Sequence, residues 1–154
     1  MVYITFYDQR EFEEQIANGQ MLEHAEYCGK YYGTPSSQIM DWIEEGRDVV
    51  LEIEVQGARQ IKEKRPDCVS IFVLPPSLEE LEKRLRYRNT EDEETIQKRL
   101  AVARQEMETA RDYDYVIVND TIEHTVEQIN KIIAAEKLKV SRAKSNIERV
   151  LNND

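Results

Sequence analysis

VVLEIEVQG, residues Val49 to Gly57, is the stretch on which the reading of this chain turns. Successive side chains of a strand point to opposite faces. The alternation therefore puts Val49, Leu51, Ile53 and Val55 on one face, and Val50, Glu52 and Glu54 on the other. The segment reads as a buried strand with two neighbouring carboxylates near its carboxyl end. Two readings of those glutamates stand. One is an edge strand with one wet face; the other is a pair of acidic groups at the end of a core strand, where ligands of open parallel sheets gather.

Toward the amino end, VYITFY is rich in β-branched and aromatic residues and predicts a strand. Asp8 and Glu11 have the spacing of a capping box for a helix that ends near Asn18-Gly19. MLEHAEY, from Met21 to Tyr27, predicts a second, half-buried strand. GKYYGTP then turns before Thr34, which is expected to cap a helix with Pro35 at its first position and Gly46 at its stop.

Toward the carboxyl end, a helix is expected from about Gln56 to Lys64, followed by CVSIFVL, an apolar run suited to burial between two layers. Ser77 with Glu80 and Thr90 with Glu93 have capping-box spacing for the helix LEELEKRLRYR and for a long helix reaching about Arg111. DYDYVIVND supplies one more strand. From Ile122 onward, Val126, Ile129, Ile133, Val140, Ile147 and Leu151 recur at spacings that predict one helix or a broken pair. Strands alternating with helices define an α/β protein: a parallel sheet with helices on both faces, and a smaller strand-rich lobe at the amino end.

A length of 154 residues suits one domain. Apolar runs such as IFVL fall far below the roughly 18 to 20 residues a membrane span requires. The opening MVYITFYDQREF lacks a signal pattern, so a soluble cytoplasmic protein is expected, with no membrane partner. Cys28, Cys68, His24 and His124 stand apart and suggest neither a disulfide framework nor a metal site. The net charge of −10 argues against a nucleic-acid partner.

Three arginines stand out. Arg84 and Arg88 lie four apart on one helix face, and Arg99 follows the loop RNTEDEE. Such guanidiniums suit a clamp on a transferring phosphoryl group, and they equally suit pairing with the glutamates around them. GKYYGT sets Tyr31, Tyr32 and Thr34 between and beside glycines, which fits either an anion-binding turn or a tyrosine-rich hairpin. The pattern G-x-x-x-x-G-K-[ST] does not occur in the 154 residues.

Taken in order and at matching separations, LEHAEYCGKYYGT, VVLEIEVQGARQ, PDCVSIFVLPPSLEELEKRL, RNTEDEETIQKRL and YDYVIVND resemble guanylate kinase over Val2 to about Lys137. The resemblance implies a P-loop-kinase-like parallel sheet and transfer of the terminal phosphate of MgATP to GMP, with no tightly bound cofactor. It implies a small mixed β/α GMP-binding lobe over 1–46, a core over 47–76 and 112–154, and a lid over 77–111. Glu23 matches the carboxylate that reads guanine, whose N1–H and exocyclic amine are adjacent donors. Tyr32 and Thr34, with Tyr31 beside them, match hydroxyls near the GMP phosphate, and Glu52 and Glu54 match the acidic pair that contacts the guanine or helps organise the site and its metal-linked water. Arg84, Arg88 and Arg99 match arginines that stabilise the phosphoryl group, and Asn119 matches a residue beside the adenine of ATP.

The family's glycine-rich phosphate loop, its lysine and two GMP-phosphate arginines have no counterpart in these residues. The strand tyrosine of the family aligns with Ile4, and its glycine-arginine-glycine lid stretch appears as Tyr87-Arg88-Asn89. The reading is thus a family member truncated at its amino end, inactive or very weak by itself, with a non-catalytic guanine-nucleotide or protein-binding module as the alternative. A central strand missing from a sheet leaves unpaired edges. Rearrangement of the sheet, self-association or pairing with a complementing N-terminal segment is therefore expected.

Overall fold

Asp8 accepts from the Glu11 amide while Glu11 reaches back to the Asp8 amide, and this reciprocal pair opens α1 (Gln9–Ala17) as its spacing predicts. In this computed structural model, residues 8–27, 30–87 and 92–152 are described, residue 27 by its backbone alone. The expected first strand over 2–7, Cys28, Arg88 and Thr90 lie outside the described residues. The chain divides into two units, Met1–Cys68 and Val69–Asp154.

In the first unit α1 closes on Gly19 at φ +66°, with Gly19 and Gln20 donating back to Ile16 and Gln15. The left-handed turn that satisfies these last carbonyls suits glycine, which has no Cβ to clash. The antiparallel strands β1 (Met21–Tyr27) and β2 (Lys30–Pro35) follow, with a register shift between Met21 and Glu23. Next come α2 (Ser36–Glu44), ended by Gly46 at φ +77°, and α3 (Val55–Lys64). Phe12, Met21, Ala25, Ile39 and Ile61 are buried and form the apolar interior of this unit.

The outer edge of β1 is covered by side chains of α3. The Gln60 amide donates to the His24 carbonyl at 2.6 Å and accepts from the His24 amide at 3.2 Å. One turn on, Lys64 Nζ donates to the carbonyls of Met21 and Leu22. Gln60 thus does for one residue what a neighbouring strand would do, and it blunts an edge that would otherwise template further pairing.

Two expectations in this unit are corrected. Residues 47–54 run without regular secondary structure, and neither described sheet includes them. Alternation alone does not make a strand; ladder partners must satisfy its backbone. Thr34 does not cap α2. It is a β2 residue whose hydroxyl turns to Glu23, and Pro35 stands at the N-cap with no side-chain cap bond.

The second unit begins with β3 (Ile71–Leu74), continues through α4 (Leu78–Tyr87) and α5 (Glu93–Glu108) to a 3-10 turn (Thr109–Asp112), and reaches β4 (Tyr115–Val118). β3 and β4 pair in parallel, as the α/β pattern requires. Asp114 accepts from both the amide and the hydroxyl of Ser70 at the start of the pair, and the Asn119 amide donates to Leu74 at its end. Ile96 and Ile117 are buried, while Val116 remains 52% exposed.

Ser77 caps α4 through the Glu80 amide, but the Glu80 carboxylate faces Arg84 instead of closing the predicted box. The cap of α5 is Asp92, which accepts from the Thr95 amide, where Thr90 was expected. The Thr95 side chain, together with its amide, draws the Asp92 carboxyl below its ordinary range. The last predicted element is a broken pair: α6 (Ile122–Lys137) and α7 (Lys144–Leu151). At the break, the buried Glu136 accepts from the Tyr115 hydroxyl and the Lys139 ammonium, both at 2.6 Å. No helix among the described residues is long and apolar enough to cross a membrane.

Candidate functional site

Glu23 is the charged residue that the first unit buries most unexpectedly, at 2% exposure. A carboxylate removed from water is costly unless it is hydrogen-bonded. The ladder supplies the partner: Thr34 stands opposite Glu23 in the register, and its hydroxyl donates to Glu23 Oε1 at 2.6 Å. Cross-strand partners share a face. Tyr32, opposite Ala25, therefore lies on the Glu23 face with its side chain largely exposed.

Tyr31, opposite Glu26, belongs to the other face and leans on Phe12 with ring centroids 6.1 Å apart. The two adjacent tyrosines thus divide between the faces. Of the hydroxyl-bearing residues expected near GMP, Tyr32 and Thr34 share the Glu23 side and Tyr31 does not.

The acidic pair that opens the sequence reading is placed differently from a strand end. Glu52 is exposed, whereas Glu54 is half-buried and is the residue from which α3 departs, its carbonyl accepting from the Ala58 amide at 2.9 Å. Three residues on, Gly57 lies in the first turn of α3 and is buried. Its Cα faces the Glu23 carboxyl so closely that an added Cβ would stand 2.9 Å from Glu23 Cδ and still closer to Oε2. Helix α3 therefore brings its amino end, where partial positive charge favours an anion, against the buried carboxylate. Sequence pattern does not single out Gly57 as a site residue; its one available signal is a glycine inside a helical pattern, which implies a packing reason.

In the second unit Arg84 and Asn119 come together. The guanidinium donates to the Asn119 carbonyl at 3.0 Å and to the Asp120 carbonyl at 3.4 Å, while Nε is held by Glu80 at 3.0 Å. Arg84 thereby fixes the turn that leaves the carboxyl end of β4. Of the two readings of this arginine, the structure shows the pairing with a glutamate one turn back, and its fork also reaches the strand-end loop. The Asn119 side chain accepts from Thr125 at 3.4 Å. Asp120, next in the loop, is held below the ordinary carboxyl range by His124 and by the Thr121 amide.

Arg99 is half-buried on α5, one turn beyond Ile96. Arg86, which the sequence reading did not single out, joins α4 to α5 by donating to both Glu82 and Glu93. That pairing holds the Glu93 carboxyl down to about 2.

The guanylate kinase family model matches residues 3–136. A guanylate kinase of Lactococcus lactis is 51% identical over 147 residues, covering 96% of this chain and 70% of its own length. One of Desulfitobacterium hafniense is 50% identical over 141 residues, covering 92% and 70%. Among solved structures, guanylate kinase from Anaplasma phagocytophilum superposes with a TM-score of 0.75 at 38% identity, over 89% of this chain and 66% of that one. The chain belongs to the guanylate kinase family of enzymes. The mixed α/β architecture agrees with that of its solved relative.

Proposed function

We propose that this chain carries the guanine-reading and phosphate-clamping parts of an ATP-dependent GMP kinase. The observation that carries the reading is the Glu23 carboxylate, buried yet held in place by Thr34. Guanine offers two adjacent donors, N1–H and the exocyclic amine, to such a carboxylate; adenine offers no equivalent pair. Glu23 reads the base, Thr34 orients Glu23, and Tyr32 on the same face offers its hydroxyl to the GMP phosphate. Glu52 and Glu54 complete the guanine side, with Tyr31 as a peripheral member. The lobe over 1–46 receives GMP, and the region 77–111 acts as a lid on a core made of 47–76 and 112–154.

In the reaction an oxygen of the GMP phosphate attacks the γ-phosphorus of MgATP, the bond to the β,γ-bridging oxygen breaks, and GDP and ADP result. Magnesium arrives as part of the co-substrate. Charge on the transferring group is met by Arg84, Arg88 and Arg99, and Asn119 lies beside the adenine. Catalysis of this kind is positioning and electrostatics.

The 154 residues contain no G-x-x-x-x-G-K-[ST] cradle for the β- and γ-phosphates. These residues by themselves are therefore expected to bind GMP and to form GDP very slowly or not at all. The same observation favours a second reading, a non-catalytic guanine-nucleotide-binding module. Calorimetric titration with GMP, with AMP as control, tests the shared part: saturable GMP binding without AMP binding is expected, and equal response to both refutes it. GDP formation from MgATP and GMP, measured with and without an added phosphate-loop segment, separates the two readings. Restored turnover favours the kinase, and binding without turnover favours the module.

A further inference from the structure

We infer that Gly57 is a positioning residue for guanine selectivity, holding open the space that the Glu23 carboxylate occupies. The inference rests on the reading of Glu23 given above. Three observations on one contact support it: Glu23 is 2% exposed, its Oε1 is fixed by the Thr34 hydroxyl at 2.6 Å, and its other oxygen lies against the Cα of Gly57. A Cβ at position 57 would stand 2.9 Å from Glu23 Cδ and 3.3 Å from Cγ. Carbon atoms settle at roughly 3.5–4.0 Å, so something has to move.

The group that moves is the carboxyl end of a flexible side chain, since Gly57 is held in the first turn of α3. Moving it breaks the Thr34 bond and re-aims both oxygens. Glycine is a poor helix residue, and alanine the best, so the same substitution favours the helix itself. That gain offsets only part of the lost Thr34 bond and does nothing to restore the direction of the carboxylate.

The test uses wild type, Gly57→Ala, Glu23→Gln and the double variant. Affinities for GMP and for inosine monophosphate, which lacks the exocyclic amine, are measured by calorimetry, and melting is followed by Trp42 fluorescence. Gly57→Ala is expected to melt lower than wild type but by less than Thr34→Val, because the helix gain partly offsets the lost Thr34 bond, to weaken GMP binding about 10- to 100-fold, the range expected for one charge-assisted bond, and to narrow the preference over inosine monophosphate. In the Glu23→Gln background it should add little. Unchanged GMP affinity in Glu23→Gln refutes the reading of Glu23. Loss in Glu23→Gln but none in Gly57→Ala refutes the positioning role, as does a Gly57→Ala chain that fails to fold. The carboxyl carbon-13 resonance of Glu23, recorded without nucleotide, gives an independent readout: it should shift in Gly57→Ala, and an unmoved resonance overturns the inference.

Discussion

Replacing Thr34 by valine keeps the β-branched shape and removes the hydroxyl that holds Glu23. The lost bond is 2.6 Å long and serves a carboxylate at 2% exposure, so water does not readily take its place. Hydrogen bonds to charged groups contribute about 1.5–3 kcal/mol net, and the burial places this one toward the upper part, about 2–3 kcal/mol. The folded-to-unfolded ratio should then fall roughly 30- to 150-fold, since about 1.4 kcal/mol is a factor of ten. Urea unfolding followed by fluorescence is a suitable assay. The chain's one tryptophan, Trp42, lies on α2, which follows directly on β2 in the same unit. Thr34→Ser retains the donor and should recover most of the loss. A Thr34→Val protein within about 0.5 kcal/mol of wild type, the span of an ordinary surface change, would refute the claim that this bond is what makes the buried carboxylate tolerable.

Gln60→Ala removes both bonds to the His24 backbone. It should destabilise the first unit by about 1–3 kcal/mol and speed hydrogen exchange at the His24 amide, which amide-resolved NMR would record. Glu136 is drawn below its ordinary 4.5 by Lys139 and Tyr115, while Tyr115 is raised above 10.0 by Glu136. A depressed carboxylate contributes stability that is present above its unfolded value and lost as pH falls through its folded one. Tyr115, being raised, contributes stability lost only as pH rises above its ordinary value. The melting gap between wild type and Glu136→Gln should therefore be widest from about pH 5 to 9 and close toward pH 3. A gap independent of pH would show that the charge of Glu136 is not what its neighbours hold.

Much of the fold is legible in the sequence because local chemistry decides it. The Asp8 box, the two glycine stops, the tandem of β1 and β2 and the parallel pairing of β3 with β4 follow from spacing and composition. The failures have a common cause: a residue's partner was assigned from sequence distance when a stronger claim came from elsewhere. Thr34 has the chemistry of a cap but bonds across the hairpin to Glu23. Glu80 has the spacing of a box but pairs with Arg84, and Asp92 takes the place assigned to Thr90. The Val49–Val55 alternation is a real two-residue period, yet a period says which side chains share a face and nothing about which backbone lies alongside. Resemblance singles out Glu23 and Thr34 as candidate site residues, and the structure shows them in contact. Their contact with Gly57 depends on how α3 meets β1, which no short pattern encodes.

That contact bears on why the carboxylate is there at all. An apolar residue at position 23 would be easier to bury between Met21 and Ala25, both of which are within the apolar interior. An alanine at 57 would favour α3 by about 1 kcal/mol. Two local choices thus run against stability, and they meet at one point: the buried carboxylate occupies the space that the missing methyl leaves. Departures from local preference concentrate where a site must be built. Their coincidence separates Glu23 from the many exposed glutamates of this acidic chain, which sit on helix faces in i, i+4 pairs such as Arg10–Glu14 and Lys98–Glu94. Those pairs tolerate exchange with solvent. Glu23 has the opposite character, with one oxygen committed to Thr34 and the other confined by backbone, so its direction is set by the fold itself. Preset direction is what discrimination by a hydrogen-bonded base requires, because a carboxylate able to swing could adjust to a base that lacks the paired donors.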